Sequence, residues 1–330
     1  MKITFENLYT FKHDLYVLFG LKLISFSFIY YILYNLVSEN PLDYPDLGLY
    51  SICDQTKTNA LYTQILCLVN ANNSNGMFNL YLITFSCILN LIIAGSYYVL
   101  LAQSLSRIGQ KCYLLGLGMH PYLAVYFPKF YTDLFGSLGI LLLTFFILRD
   151  LKINNIFLIV SVLIINLRSA LIPPFFLFAL NSFLQNFVTK NIFLLRPLIL
   201  LFLILTTYWV YSDFSISFLS VNNFYNNKLL NPVFLLGFRE SVANLGFSSL
   251  YTKGVIFGNI QLIVSFCLLF FHVVGLIGLV IFSLMKNKNL LILFSILIIP
   301  LIGISHLRYL LPMMPLIIFG FAWLFFRNNQ

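Results

Sequence analysis

Apolar residues along this chain come in long unbroken runs, with the polar residues gathered between them. The runs lie at about 15–37, 78–104, 112–127, 131–148, 154–168, 171–188, 196–214, 257–285, 289–305 and 309–326. A hydrocarbon core about 30 Å thick takes roughly 17–25 helical residues to cross. Lipid offers the backbone no hydrogen bonds, and the runs are too continuous for the alternating strands of a barrel, so each predicts an α-helix. The pattern thus predicts an all-α fold, a polytopic transmembrane helical bundle of about ten spans. Counting the short third, fifth and sixth runs as buried or re-entrant helices widens this to roughly 8–12. Residues 1–330 form a single membrane domain in this reading, with no separate soluble domain.

Two connecting segments, 38–77 and 215–256, are too long to be simple turns and are expected to carry or cover function. In the first, LYTQILCLV predicts an interfacial helix and NANNSNG a turn-rich tip. The first apolar run follows the mixed-charge MKITFENLYTFKHD and shows no small-residue cleavage site, so it reads as a retained helix and not a cleaved signal peptide. Cys87, Cys112 and Cys267 fall in or beside spans, where free cysteine behaves as a small apolar residue. Cys53 and Cys67 share one polar loop and would pair if that loop faces an oxidising compartment.

Composition agrees with a lipid solvent: 60% of the 330 residues are hydrophobic and 9% charged, against about 25% charged in a soluble domain. The mean hydropathy is +0.93. The formal charge of +9 sorts with topology. With both termini cytoplasmic, the short cytoplasmic turns collect Lys2, Lys12, Arg107, Lys111, Arg149, Lys152, Lys190, Arg196, Lys286, Lys288 and Arg327, the expected positive-inside bias. The outer segments carry both signs. This predicts a multi-pass protein of the cell (inner) membrane, or of the endoplasmic reticulum membrane in a eukaryote. No long basic run is present, so nucleic acid is not an expected partner.

The stretch MHPYLAVYFPKFYTD, residues 119–133, interrupts two apolar runs with polar groups. As helix chemistry it is a capped turn at the outer interface. Pro128 breaks one helix, and Thr132 with Asp133 caps the next, where a hydroxyl or carboxylate satisfies free N–H groups and opposes the dipole.

The same stretch, extended to HPYLAVYFPKFYTDLFGSLGILLL, resembles the junction of the third and fourth helices in the GT-C superfamily, integral membrane glycosyltransferases that use polyprenyl-phosphate sugars. NLRSALIPPFFLFAL, with Arg168 and Pro173-Pro174, resembles that superfamily's Arg-containing turn. HLRYLLPMMPLIIFGFAWLF resembles its terminal helix, here with His306, Arg308, Tyr309, Pro312 and Pro315. The likeness covers roughly 15–180 and 300–326. It is closest in kind to protein mannosyltransferases and aminoarabinose transferases, but this chain lacks their large soluble C-terminal domain and the paired Asp-Glu of the mannosyltransferases.

The resemblance implies a GT-C-like bundle that moves a sugar from a polyprenyl-phosphate donor to a lipid, glycan or protein acceptor on the non-cytoplasmic face. It also implies an essential acid in the first outer loop. In ENPLDYPDLGLYSICD that acid is Asp46 or Asp43, with Asp46 preferred because PDLGLY follows the family's pattern of an acid and then Tyr. A carboxylate there would act as general base, with inversion. Arg168, Arg308 and Lys129 would meet the phosphate. His120 and His306 would bind phosphate or carry a proton, and Asp133 and Tyr309 would lie on the substrate side. The plainer reading of each cation is a side chain that snorkels to the interface.

The carboxylates and histidines show no metal-ligand spacing, so the chemistry requires no cofactor and gives a divalent metal no support. No Walker-type loop, GxSxG or HExxH motif occurs. A transporter or flippase of lipid-linked material, and a polysaccharide polymerase or ligase, are the competing readings. The charges lie mostly at span ends and no two-fold repeat is visible, which favours the transferase over the transporter; the polymerase or ligase shares the outer-face chemistry and differs in using a diphosphate-linked oligosaccharide.

A cysteine introduced at Asn75 in a cysteine-free variant should react with an impermeant thiol reagent only from the non-cytoplasmic side. Labelling from the cytoplasmic side would reverse the orientation.

Overall fold

The computed structural model describes residues 12–32, 60–68, 80–130, 132–189, 194–210, 255–297 and 307–328. Asp43, Asp46 and His306 lie outside these residues, as does nearly all of 215–256. For Arg308 and Tyr309 only the backbone is described.

The described chain is helical, with one isolated antiparallel bridge between Leu105 and Arg327. The helices are α1 (Lys12–Ile32), α2 (Ala60–Leu68), α3 (Leu80–Leu101), α4 (Arg107–Met119), α5 (Pro121–Val125), α6 (Thr132–Leu148), α7 (Asn155–Leu167), α8 (Ile172–Val188), α9 (Leu195–Val210), α10 (Val255–Lys286) and α11 (Met314–Phe326). Short 3₁₀ segments run over Lys288–Leu297, in place of the α-helix predicted over 289–305, and over Leu307–Met313 at the entry to α11. Among the described residues four helices are long and apolar enough to cross a bilayer: Lys12–Tyr31, Leu80–Ser104, Ser169–Val188 and Cys267–Lys286. Thr132–Leu148, Asn155–Leu167, Leu195–Thr207 and Leu310–Phe326 are apolar but shorter.

Local chemistry sets where the helices begin. Ser106 caps α4 by accepting a hydrogen bond from the Gly109 N–H at 3.3 Å, and Asn154 caps α7 through Phe157 at 2.8 Å. The cap at Ser106 draws RIGQKC into α4, so this helix starts five residues before the apolar run that predicts it. At the far end of α4 the backbone opens at His120 (φ −61°, ψ 123°), and Pro121 starts α5.

One end of the bundle gathers the basic residues. The Asp14 carboxylate of α1 accepts from Tyr98 near the end of α3 at 2.7 Å. Ser106 N–H donates to Phe326 O at 2.9 Å, which joins the start of α4 to the end of α11. Asn287, after α10, donates to Ile147 O near the end of α6 at 2.8 Å. These contacts place Lys12, Arg107, Arg149, Lys286 and Arg327 at a common end, the grouping that the sequence predicts for short cytoplasmic turns.

The closest helix crossing is that of α10 with α11. A Cβ added at Gly278 would fall on the Gly320 carbonyl, and one at Gly275 on the Ile317 carbonyl. Glycine here removes the side chains that would hold the two backbones apart, the usual device where lipid supplies no hydrophobic drive between helices. Replacing Gly278 by Val should therefore destabilise the protein by about 1–3 kcal/mol or prevent folding. Gly20→Ala, where nothing lies within 4 Å, should be near neutral. Thermal unfolding of the two variants in detergent checks this.

Candidate functional site

The depth of the polar residues follows from helix length. At about 1.5 Å per residue, α4 and α7, with 13 residues each, rise about 20 Å from the basic end, and α6, with 17, about 26 Å. His120, Asp133 and Arg168 thus lie about that far from the basic end, packed inside the helix bundle. Their exposure agrees: His120 is 5% exposed, Asp133 1% and Arg168 4%.

A buried turn needs internal partners. Asn90 Nδ2 donates to Phe127 O at 3.0 Å, and Ser86 Oγ donates to Lys129 O at 2.8 Å, both from α3. Tyr62 of α2, the helix predicted from LYTQILCLV, donates to Phe130 O at 2.8 Å and stacks on the Phe130 ring. Three successive stretches of carbonyl are thus satisfied by side chains from two other helices.

Beside this turn is an ion pair. Arg168, at the C-terminal end of α7, places Nη2 2.6 Å from Asp133 Oδ1 in the first turn of α6, and its Nη1 donates to Thr132 Oγ1 at 2.8 Å. The buried Arg168 does not reach out to headgroups; it closes on the helix cap. Gly136, one turn further along α6, is where the neighbours meet: a Cβ there would lie 2.8 Å from Pro312 Cγ and 3.6 Å from Arg168 Cγ. The Leu307–Met313 segment, whose backbone carries Arg308 and Tyr309, thus packs over the same turn of α6 as Arg168. Next to the pair is a small cleft, with a free volume of about 20 Å³, lined by Asn90, Leu123, Tyr126, Asp133, Leu134, Ser137 and Leu311. Lys129 sits at its edge, with Nζ 5.5 Å from the centre of the Tyr126 ring.

A second polar group lies on the other side of the 122–127 turn. His120 Nε2 and His272 Nε2 are 3.2 Å apart, which joins the α4–α5 break to the middle of α10. Lys22, 2% exposed, faces the Phe127 ring at 5.7 Å. A Cβ on Gly118 would lie 2.6 Å from Leu21 Cβ, so α1 passes the end of α4 directly beneath His120. Neither Lys22 nor His272 is among the candidates drawn from the sequence. Both stand near the middle of long apolar runs, and an ionisable residue mid-span is by itself a functional signal.

The structure therefore brings Arg168, Asp133 and the backbone of 308–309 to one side of the turn, with Lys129 at the cleft edge, and takes His120 to the other side. Among the described residues no group of three or more His, Cys, Asp or Glu is placed to hold a metal ion. Cys67 is disulfide-bonded, whereas Cys87, Cys112 and Cys267 are free.

Removing one partner of a buried pair leaves the other charge uncompensated, which costs about 3–5 kcal/mol. Arg168→Ala should therefore unfold at markedly lower temperature. The neutral double variant Arg168→Gln with Asp133→Asn should recover part of that loss, as read by thermal unfolding of the purified proteins.

Comparison with protein families, with curated proteins and with solved structures returns no match for this chain.

Proposed function

We propose that this protein is a membrane glycosyltransferase of GT-C-like architecture with about ten spans. On this reading it transfers a sugar from a polyprenyl-phosphate donor to an acceptor on the non-cytoplasmic face, with both termini cytoplasmic. The observation that carries the reading is the cleft beside the Asp133–Arg168 pair, over which the Leu307–Met313 segment closes. The free volume of the cleft is about 20 Å³, room for a water or two, so a sugar enters only as the cleft opens, and Asn90, Ser137 and Tyr126 in its wall then offer hydroxyl and amide partners. Arg168, already matched by Asp133, serves to fix the wall. Arg308 and Lys129 supply positive charge toward the departing phosphate. Asp46, with Asp43 second, takes the proton of the acceptor hydroxyl as it attacks the anomeric carbon opposite the phosphate. The disulfide at Cys67 is in keeping with an outer loop in an oxidising compartment.

A transporter of lipid-linked material is the second reading, favoured by one observation: Lys22 and His272 are buried at mid-helix, where transporters keep ionisable groups on a substrate path.

Transfer from a radiolabelled polyprenyl-phosphate sugar decides between them. Asp46→Asn keeps the shape of the side chain but loses its basicity, and should lower turnover by about 10²–10⁴-fold with donor binding retained. Normal turnover in the double variant lacking both Asp43 and Asp46 would remove the base from this loop. A wild-type protein that moves the intact lipid-linked sugar across a vesicle bilayer and transfers none of it would establish the second reading.

A further inference from the structure

We infer that Lys22, His120 and His272 form a binding site for a phosphate-class anion inside the helix bundle. The three residues come from α1, the α4–α5 break and α10. Measured along their helices from the basic end, they stand about 15, 20 and 21 Å away at 1.5 Å per residue, at about one level of the bundle. Contacts hold them together: the two imidazoles through Nε2, and α1 against the end of α4 at Leu21 and Gly118.

Charge is what points to an anion. Lys22 is buried against an aromatic ring, and among the described residues it meets no carboxylate. The nearby described carboxylates are committed elsewhere: Asp133 to Arg168, and Asp14, eight residues earlier on α1, to Tyr98. The other ionisable group facing the cluster is Tyr122, whose ring centre lies 6.0 Å from His120 and 6.1 Å from His272.

Hydrogen bonding points the same way. The single Nε2 to Nε2 contact holds one hydrogen, so whichever imidazole accepts it must carry its own hydrogen on Nδ1. His120 Nδ1 is buried without a partner. With His120 as acceptor, the cluster offers an N–H and an ammonium and supplies no negative charge, the complement of a phosphate oxygen.

The site also lies one layer behind a lipid-facing surface, since Met119, Ile24 and Phe270 on the same three elements are exposed. A phosphate carried on a prenyl chain fits that position, and free inorganic phosphate has the same chemistry. Assigning the lipid-borne form rests on the lipid-linked substrate proposed above, as a prenyl-phosphate site separate from the one at Arg308 and Lys129; the anion site itself does not.

Binding of inorganic phosphate and of a short-chain prenyl monophosphate to the purified full-length protein, followed by ³¹P NMR, tests this. Wild type should bind the prenyl phosphate, and Lys22→Gln and His120→Gln should each weaken it tenfold or more, with Lys22→Arg retaining it. Equal binding of inorganic phosphate would support a site for the free anion; preference for the prenyl form supports the lipid-borne one. No binding of either probe by the wild type overturns the proposal, as does unchanged affinity in folded Lys22→Gln. Should that variant fail to fold, unchanged affinity in His120→Gln overturns it instead. Binding without sugar transfer would sink the transferase and leave the anion site standing.

Discussion

A chain that reverses direction inside an apolar helix bundle must find a partner for each backbone group it frees, because a buried polar group left unpaired is costly. The 126–130 turn meets this demand with side chains from elsewhere: Asn90 and Ser86 from α3 and Tyr62 from α2. Everything polar around the turn depends on that arrangement. It lets α4 and α6 end at a buried turn, and so leaves room for a cleft where two long helices would have packed apolar faces. A Ser at position 86 in an otherwise apolar helix has no evident purpose until the carbonyls of Phe127 and Lys129 are seen above it.

On this base the protein builds two electrostatic environments a few residues apart. On one side Arg168 and Asp133 cancel each other at 2.6 Å, and the wall they form is polar but close to neutral. On the other, Lys22 and the histidine pair bring donors together without a carboxylate. Tyr122 and Phe127 face the second group, whereas Leu123 and Tyr126 face the cleft, so a single short turn partitions the two. The first environment offers hydroxyl and amide groups with Lys129 beside them, the second a cluster of donors suited to an anion.

Much of this is legible in the residues. The runs at 78–104, 131–148, 154–168 and 171–188 return as helices within a few residues of their expected ends, because hydropathy and length decide them. Asp133 and Arg168 are each recognisable as chemistry at a helix end. Their mutual pairing is not, since it is made by the packing of α6 on α7 and leaves no local signature. The early start of α4 also escapes the hydropathy pattern, for a local reason: the Ser106 cap lies ahead of the apolar run and begins the helix there. Lys22 and His272 are hidden by averaging, since one basic residue barely lowers the mean of a long apolar run.

The glycine contact between α10 and α11 has a mechanical corollary. With no side chain between them at Gly275, Gly278 and Gly320, the two backbones leave little room for independent displacement. His272 lies on the first of these helices, and the second continues from the Leu307–Met313 segment beside the cleft. A change in the tilt of this pair would therefore be felt at the histidine pair and at the cleft together.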